Sequence, residues 1–204
     1  MDIPVLYLIR HGQTKPNAAN QFRGDSDVPL TPKGRKDAED VAEFLKGIEP
    51  SFIISSDRSR AIETTQILQK YFDAPVHTSP ELRAWDVGEF TGKPRNKENL
   101  AEIQKYIDDP CLTVPGGESL AEFASRTMPA IDECFQLANC HGVGFVVAHS
   151  SVIHQLGSDL LGSHTALVVD PGGVVLVGLS GEGCSEAEAI FKPMEKEENS
   201  ESIS

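Results

Sequence analysis

Val5-Leu6-Tyr7-Leu8-Ile9 is an unbroken apolar, β-prone run that stops abruptly in Arg10-His11-Gly12. A run of this length bounded by a turn signal reads as a strand buried on both faces, which is the habit of parallel strands. Ligands of open α/β sheets collect beyond the carboxyl ends of such strands. Arg10 and His11 therefore stand where chemistry is expected, and Gly12 lets the backbone turn or approach another segment closely. By itself the run is equally consistent with a strand that simply ends in polar residues. The rest of the chain decides.

The pattern recurs. Phe52-Ile53-Ile54-Ser55 is a second short buried strand followed by Ser56-Asp57-Arg58-Ser59-Arg60, and Val143 to Ala148 is a third, ending in His149-Ser150-Ser151. Helices are expected between the strands. Thr31-Pro32 gives an N-cap and a first-turn proline, followed by the stripe Ala38, Val41, Ala42, Leu45. Arg58 to Phe72 and Val152 to Leu161 read as helices. So does Lys97 to Ile107, and the longest helix starts at Ser119 with a capping box to Glu122 and tolerates Pro129. Pro75 to Thr78, Val174 to Leu179 and Ala187 to Phe191 complete the strands, while Lys15 to Pro29 reads as a polar loop and Leu82 to Gly92 as irregular. Strands alternating with helices predict an α/β fold. We expect a single three-layer domain with a mainly parallel sheet and helices on both faces.

At 204 residues the chain suits one domain over residues 1–193, with a lid or insertion at about Glu89 to Pro115. Met194 to Ser204 reads as an acidic disordered tail. A net charge of −13 argues against nucleic-acid or anionic-membrane partners. Cys111, Cys134, Cys140 and Cys184 form neither a disulfide framework nor a zinc spacing. No apolar run approaches membrane-span length and no leader precedes the first strand, so a soluble, cytoplasmic protein is expected. Monomer and homodimer both stay open.

Histidines and arginines gathered at strand ends of an acidic protein suggest a small anion, most simply phosphate. No phosphate-loop or dinucleotide fingerprint is present. The motifs resemble the phosphoglycerate-mutase-like branch of the histidine phosphatase superfamily. Leu8-Ile9-Arg10-His11-Gly12-Gln13-Thr14 with Asn17, then Gly24-x-x-Asp27-x-Pro29-Leu30-Thr31-x-x-Gly34, carry the first part of the resemblance. Ser56-x-x-x-Arg60-Ala61-x-x-Thr64, Gly117-Glu118-Ser119 and Val147-Ala148-His149 carry the remainder.

The resemblance implies that His11 is the nucleophile that becomes phosphorylated, while Arg10, Arg60 and His149 hold the phosphoryl oxygens. Asn17, Arg23, Gly24 and Ser150 complete the expected phosphate-binding set, with Arg23 open between substrate contact and solvent. Arg58 reads as a solvated helix residue, and His77, His141, His154 and His164 as structural or exposed. No metal or other cofactor is expected, because arginines supply the positive charge that phosphoryl transfer needs.

One departure stands out. The family's acid–base glutamate falls four residues before the Gly-x-aromatic-x-Gly stretch, here Gly88-Glu89-Phe90-Thr91-Gly92, and that position is Ala84. Asp86 and Glu81 are the nearest carboxylates. In an extended segment Asp86 shares the face of Ala84, with Trp85 and Val87 on the other, so Asp86 is the expected general acid; the alternative is that nothing replaces the glutamate and the preferred substrates have leaving groups that need no proton, such as acyl phosphates or anhydrides. The expected function is hydrolysis of a small phosphomonoester through phosphohistidine. A mutase and a non-catalytic phosphate-binding module are the alternatives.

Overall fold

Side chains alternate along the first strand, β1 (Val5–Arg10), between two hydrophobic clusters. Leu6 and Leu8 pack into one, Tyr7 and Ile9 against the other, as a period of two requires. The computed structural model describes residues 4–162, 167–179 and 185–192. His164, Cys184 and the acidic segment 194–204 lie outside the described residues.

Among the described residues five further strands complete the sheet with β1: β2 (Phe52–Ser56), β3 (Val76–Ser79), β4 (Gly144–Ala148), β5 (Val174–Leu179) and β6 (Ser185–Phe191). The sheet order is β3-β2-β4-β1-β5-β6. The pairs β3-β2, β2-β4 and β4-β1 are parallel, while β1-β5 and β5-β6 are antiparallel. The expected mainly parallel sheet is therefore found, with an antiparallel edge formed by the two closing strands. Five residues separate β5 from β6, too few for the crossover that parallel neighbours require, and only antiparallel pairing is then available.

Among the described residues six α-helices accompany the sheet: α1 (Lys15–Ala18), α2 (Pro32–Phe44), α3 (Ser59–Leu68), α4 (Lys97–Asp108), α5 (Leu120–His141) and α6 (Ser150–Leu161). Val41 and Ala42 of α2 and Ala61 and Leu68 of α3 join Ile9, Ile53, Phe145 and Val147 on one face. Phe123, Ile131 and Phe135 of α5 and Val152, Ile153 and Leu156 of α6 join Leu6, Leu8, Val146 and Ala148 on the other. Three layers result, with β4 wholly buried between them.

The start signals act as read. Thr31 accepts the Gly34 N–H at 3.0 Å, and Ser119 and Glu122 form the reciprocal capping box that opens α5. Two readings need adjustment. The polar loop after β1 contains α1, one turn opened by Thr14 and closed by the Asn17 side chain on the Thr14 N–H. The α3 helix stops at Leu68, and Phe72 reaches the core from a tight turn whose N–H bonds the Leu68 carbonyl.

Gly12 is demanded by packing. A Cβ there would overlap the Gly34 carbonyl, because the turn after β1 lies directly on the first turn of α2. Thr31 N–H donates to the Gln13 carbonyl at 2.9 Å, and buried Asp37 accepts the Gln13 N–H at 3.0 Å. The loop that carries His11 is thus fixed to α2 by backbone bonds.

Candidate active site

Strand register assembles the site. Arg10 stands opposite Ala148, so the residues that follow, His11 and His149, meet beyond the carboxyl ends of β1 and β4. The His11 N–H donates to the Ala148 carbonyl at 3.1 Å, and the two imidazole rings lie 5.2 Å apart. Arg60 arrives from the first turn of α3, just past β2, the other neighbour of β4. His11, Arg60 and His149 are all fully buried.

His11 Nδ1 lies 2.7 Å from the Gly12 carbonyl oxygen, which can only accept. Nδ1 therefore carries the proton, and Nε2 is left with the lone pair. That Nε2 is buried and has no hydrogen-bond partner. Burial first, then the charges of Arg23 and Arg60, push the His11 pKa well below its ordinary value of 6.5. The ring is neutral and its free nitrogen is a nucleophile at pH 7.

His149 is held differently. Arg60 Nε donates to its Nδ1 at 3.2 Å, so its Nε2 bears the hydrogen and faces Ser56 Oγ at 2.9 Å. Burial, then Arg60 and Arg23, depress its pKa as well. Arg60 also donates to the Ser26 carbonyl at 2.6 Å and to the Gly24 carbonyl at 3.5 Å. Burial lowers its pKa to about 9 and that of Arg10 to about 10, with Asp170 opposing the shift of Arg10. Both stay charged at neutral pH. Arg23 is pushed down too, by burial and then by Arg60 and Arg10.

Next to this cluster is a cavity of about 590 Å³, whose lining includes Arg10, Asn17, Arg23, Gly24 and Ser150. Arg10 donates to the Val169 carbonyl at 2.6 Å, and Arg23 to Asn17 Oδ1 at 3.3 Å. The Nε atoms of both arginines are buried without a partner. The amino end of α6 follows His149 directly, and its first residue, Ser150, lines the cavity. A helix amino end adds backbone N–H groups and partial positive charge to an anion site.

Of the sequence-derived residues, the structure brings His11, Arg10, Arg60, His149, Asn17, Arg23, Gly24 and Ser150 together. Arg58 is paired with Asp25 through two of its guanidinium nitrogens, Nε and Nη2. Asp27 caps the start of α3 by accepting from the Ser59 N–H and hydroxyl at 2.8 and 2.9 Å. That explains why the Gly24-to-Asp27 segment lies against Arg60.

Asp86, the expected general acid, lies half-buried in the segment that forms part of the cavity wall. Ala84, Trp85 and Val87 line the cavity, and Asp86 does not. Its Oδ1 accepts the Gly88 N–H at 3.0 Å, and its own N–H donates to Glu118 at 2.9 Å. The Asp86 carboxylate thereby closes a turn onto Gly88, just ahead of a 3-10 turn over Gly88–Phe90. Glu81 is exposed and also absent from the cavity wall. The segment is clamped from outside by a Glu118–Arg126 ion pair of 2.7 Å, with Arg126 donating to the carbonyls of Glu81, Arg83 and Ala84.

Other lining residues were not singled out from sequence. Arg95 stacks its guanidinium 4.9 Å from the Phe22 ring centre, and Gln21, Gln104, His154, Gln155 and Asp170 are among the other polar residues of the wall. His154 lies four residues after Ser150, hence on the same face of α6, and that spacing was its available signal. Arg95 and Asp170 belong to connections that carry no periodic pattern.

Both histidines bear on stability. Their folded-state pKa values lie below 6.5, so the unfolded chain binds more protons once the pH falls under that value. Stability is fully present above pH 6.5 and is lost as the pH falls from there toward the folded-state values, by about 1.4 kcal/mol per pH unit for each histidine. Urea melts from pH 7 to 5 are expected to show this decline, and inorganic phosphate, whose negative charge reverses the local field, to reduce it.

A neutral, unpaired histidine nitrogen among arginines at the carboxyl edge of a sheet is the arrangement of a phosphoryl-handling α/β protein. Residues 6–191 match the family model of the histidine phosphatase superfamily (branch 1), and the chain belongs to that superfamily. A relative from Proteus mirabilis bearing the name "Probable phosphoglycerate mutase GpmB" is 35% identical over 161 residues, covering 77% of this chain and 74% of its own. Among solved structures, phosphoglycerate mutase from Bacillus anthracis is 27% identical with a TM-score of 0.77, covering 93% of each chain. A mycobacterial glucosyl-3-phosphoglycerate phosphatase complexed with VO3 is 25% identical with a TM-score of 0.78, covering 93% of this chain and 100% of that one.

Proposed function

We propose that this protein is a phosphatase that hydrolyses a small phosphomonoester through a phosphohistidine on His11. The observation that carries the reading is the set of buried, unpartnered atoms in one cluster: the Nε2 lone pair of His11 and the Nε–H groups of Arg10 and Arg23. Each such atom costs roughly 1–3 kcal/mol to leave unpaired. A phosphoryl group satisfies a nucleophile and cationic donors together.

In the first half-reaction His11 Nε2 attacks phosphorus, and the bond from phosphorus to the ester oxygen breaks. The electron pair leaves on that oxygen, which takes up a proton. Water then attacks the phosphohistidine, inorganic phosphate departs and Nε2 regains its lone pair. Arg10, Arg23, Arg60 and the amino end of α6 stabilise the charge on the equatorial oxygens in both steps. His149, locked by Arg60 and Ser56, holds its ring against that of His11. The substrate is a soluble small molecule in this reading; nucleic acid and membrane are not partners. The arginines carry the charge that a metal supplies elsewhere.

The names of the Proteus mirabilis and Bacillus anthracis proteins support a mutase as the second reading, in which the phosphohistidine returns its phosphoryl group to an acceptor hydroxyl. Incubation with p-nitrophenyl phosphate and, separately, with 3-phosphoglycerate tests both. Phosphate release with an acid-labile, base-stable phosphoprotein supports the phosphatase, whereas isomerisation of phosphoglycerate without release supports the mutase. Binding with neither would leave a phosphate-binding module. Asp86→Asn is expected to change phosphate release less than about threefold, because the carboxylate serves the Gly88 turn; general acids are worth about 100- to 10,000-fold.

A further inference from the structure

The cavity is far larger than a phosphoryl group, and its lining carries a large apolar set besides the polar residues. Phe22, Trp85 and Val87 belong to that set, as do Leu100, Ile103 and Ile107 of α4, where Gln104 also lines the cavity, and Leu120, Val168 and Val169. The α4 residues recur at spacings of three and four, so one face of that helix is turned into the cavity. A polar leaving group carrying a second charge would find a single extra cation among the lining residues, Arg95, which is exposed and stacked on Phe22. The one lining carboxylate is Asp170, and its field acts on Arg10, at the phosphate end. The wall that would face a leaving oxygen near residue 84 presents a methyl group.

We infer that the cavity selects phosphomonoesters whose leaving group is apolar and weakly basic: aryl or enol phosphates with a ring-sized hydrophobic body. The inference rests on the phosphohistidine reading above. An apolar body is desolvated by the aromatic and aliphatic walls. A phenol-like or enol oxygen departs as the anion when its bond to phosphorus breaks and takes its proton from water, so no carboxylic acid is needed beside it. An alkyl oxygen, far more basic, does need one, and general acid assistance is worth about 100- to 10,000-fold.

The test compares kcat/KM for four esters on the full chain. Phenyl phosphate is the reference, benzyl phosphate has the same apolar body but a basic leaving oxygen, 1-naphthyl phosphate has a larger apolar body, and glycerol 3-phosphate is polar. Benzyl phosphate is expected to be slower than phenyl phosphate by about 100-fold or more. 1-Naphthyl phosphate is expected to be better than phenyl phosphate by about tenfold, chiefly through KM. Leu100→Gln, at a position already 39% exposed, is expected to fold and to remove most of the naphthyl advantage while costing phenyl phosphate less. Equal rates on benzyl and phenyl phosphate, or glycerol 3-phosphate matching phenyl phosphate, would overturn the inference while His11 phosphorylation still upheld the phosphatase. If none of the four esters phosphorylates the protein, both readings fall.

Discussion

Replacing His11 by alanine is expected to abolish phosphate release, with a loss of about 10⁴-fold or more, and to remove the acid-labile phosphate from the protein. The remaining arginines can still bind an anion, so inorganic phosphate should bind the variant. Folding should change little, because two terms oppose each other. Losing the imidazole leaves a small void beside His149, which costs stability. It also removes a buried nitrogen that has no partner, which is worth roughly 1–3 kcal/mol in the other direction. Quench-flow detection of phosphoprotein and a thermal melt separate the effects. Near-normal turnover by the variant would end the assignment of His11 as nucleophile.

Arg60→Ala is expected to cost about 100- to 1000-fold in turnover, the range for removing one preorganised donor from a developing anionic charge. It should also destabilise the fold, unlike the His11 change. Arg60 satisfies His149 Nδ1 and the Ser26 and Gly24 carbonyls at once, and all three would lose that donor. Arg60→Lys retains the charge but a single ammonium cannot span those acceptors in a fixed fork. It should recover part of the stability and less than a tenth of the activity. If the lysine variant restored full turnover, charge alone would suffice, and the positioning of His149 by Arg60 would be unimportant.

The comparison of sequence with structure is instructive at the segment 82–92. Everything around it was readable: the strand ends, the cap at Thr31, the capping box at Ser119 and the stripe of α2 all follow from local periodicity and backbone chemistry. Asp86 closes a turn onto Gly88, and Gly88 lies against Gly117, where a Cβ on either glycine would overlap the other segment's backbone. That close approach fixes the course of the chain at this turn. Nothing local announces it, since the two glycines are far apart in sequence. Glu118 is a related case. Its spacing marks it as part of a helix start, yet its carboxylate accepts from Arg126 and from the Asp86 N–H and so holds the cavity wall from behind.

What the sequence alone determines is therefore the order of strands and helices, the sheet's buried character and the presence of Arg10, His11, Arg60 and His149 at element ends. These follow from short-range physics: an apolar run must be covered, a cap must meet its N–H, and a polar cluster after a buried strand must emerge at its end. Tertiary structure decides the rest. It packs the turn after β1 on α2, where the Gly12 carbonyl meets His11 Nδ1 and leaves the Nε2 lone pair free, and it engages the Asp86 carboxylate in the Gly88 turn. It also lays the apolar face of α4 over the cavity. The packing of Gly12 on Gly34, of Gly88 on Gly117 and of α4 on the cavity brings together segments remote in sequence, and no local pattern encodes such a meeting.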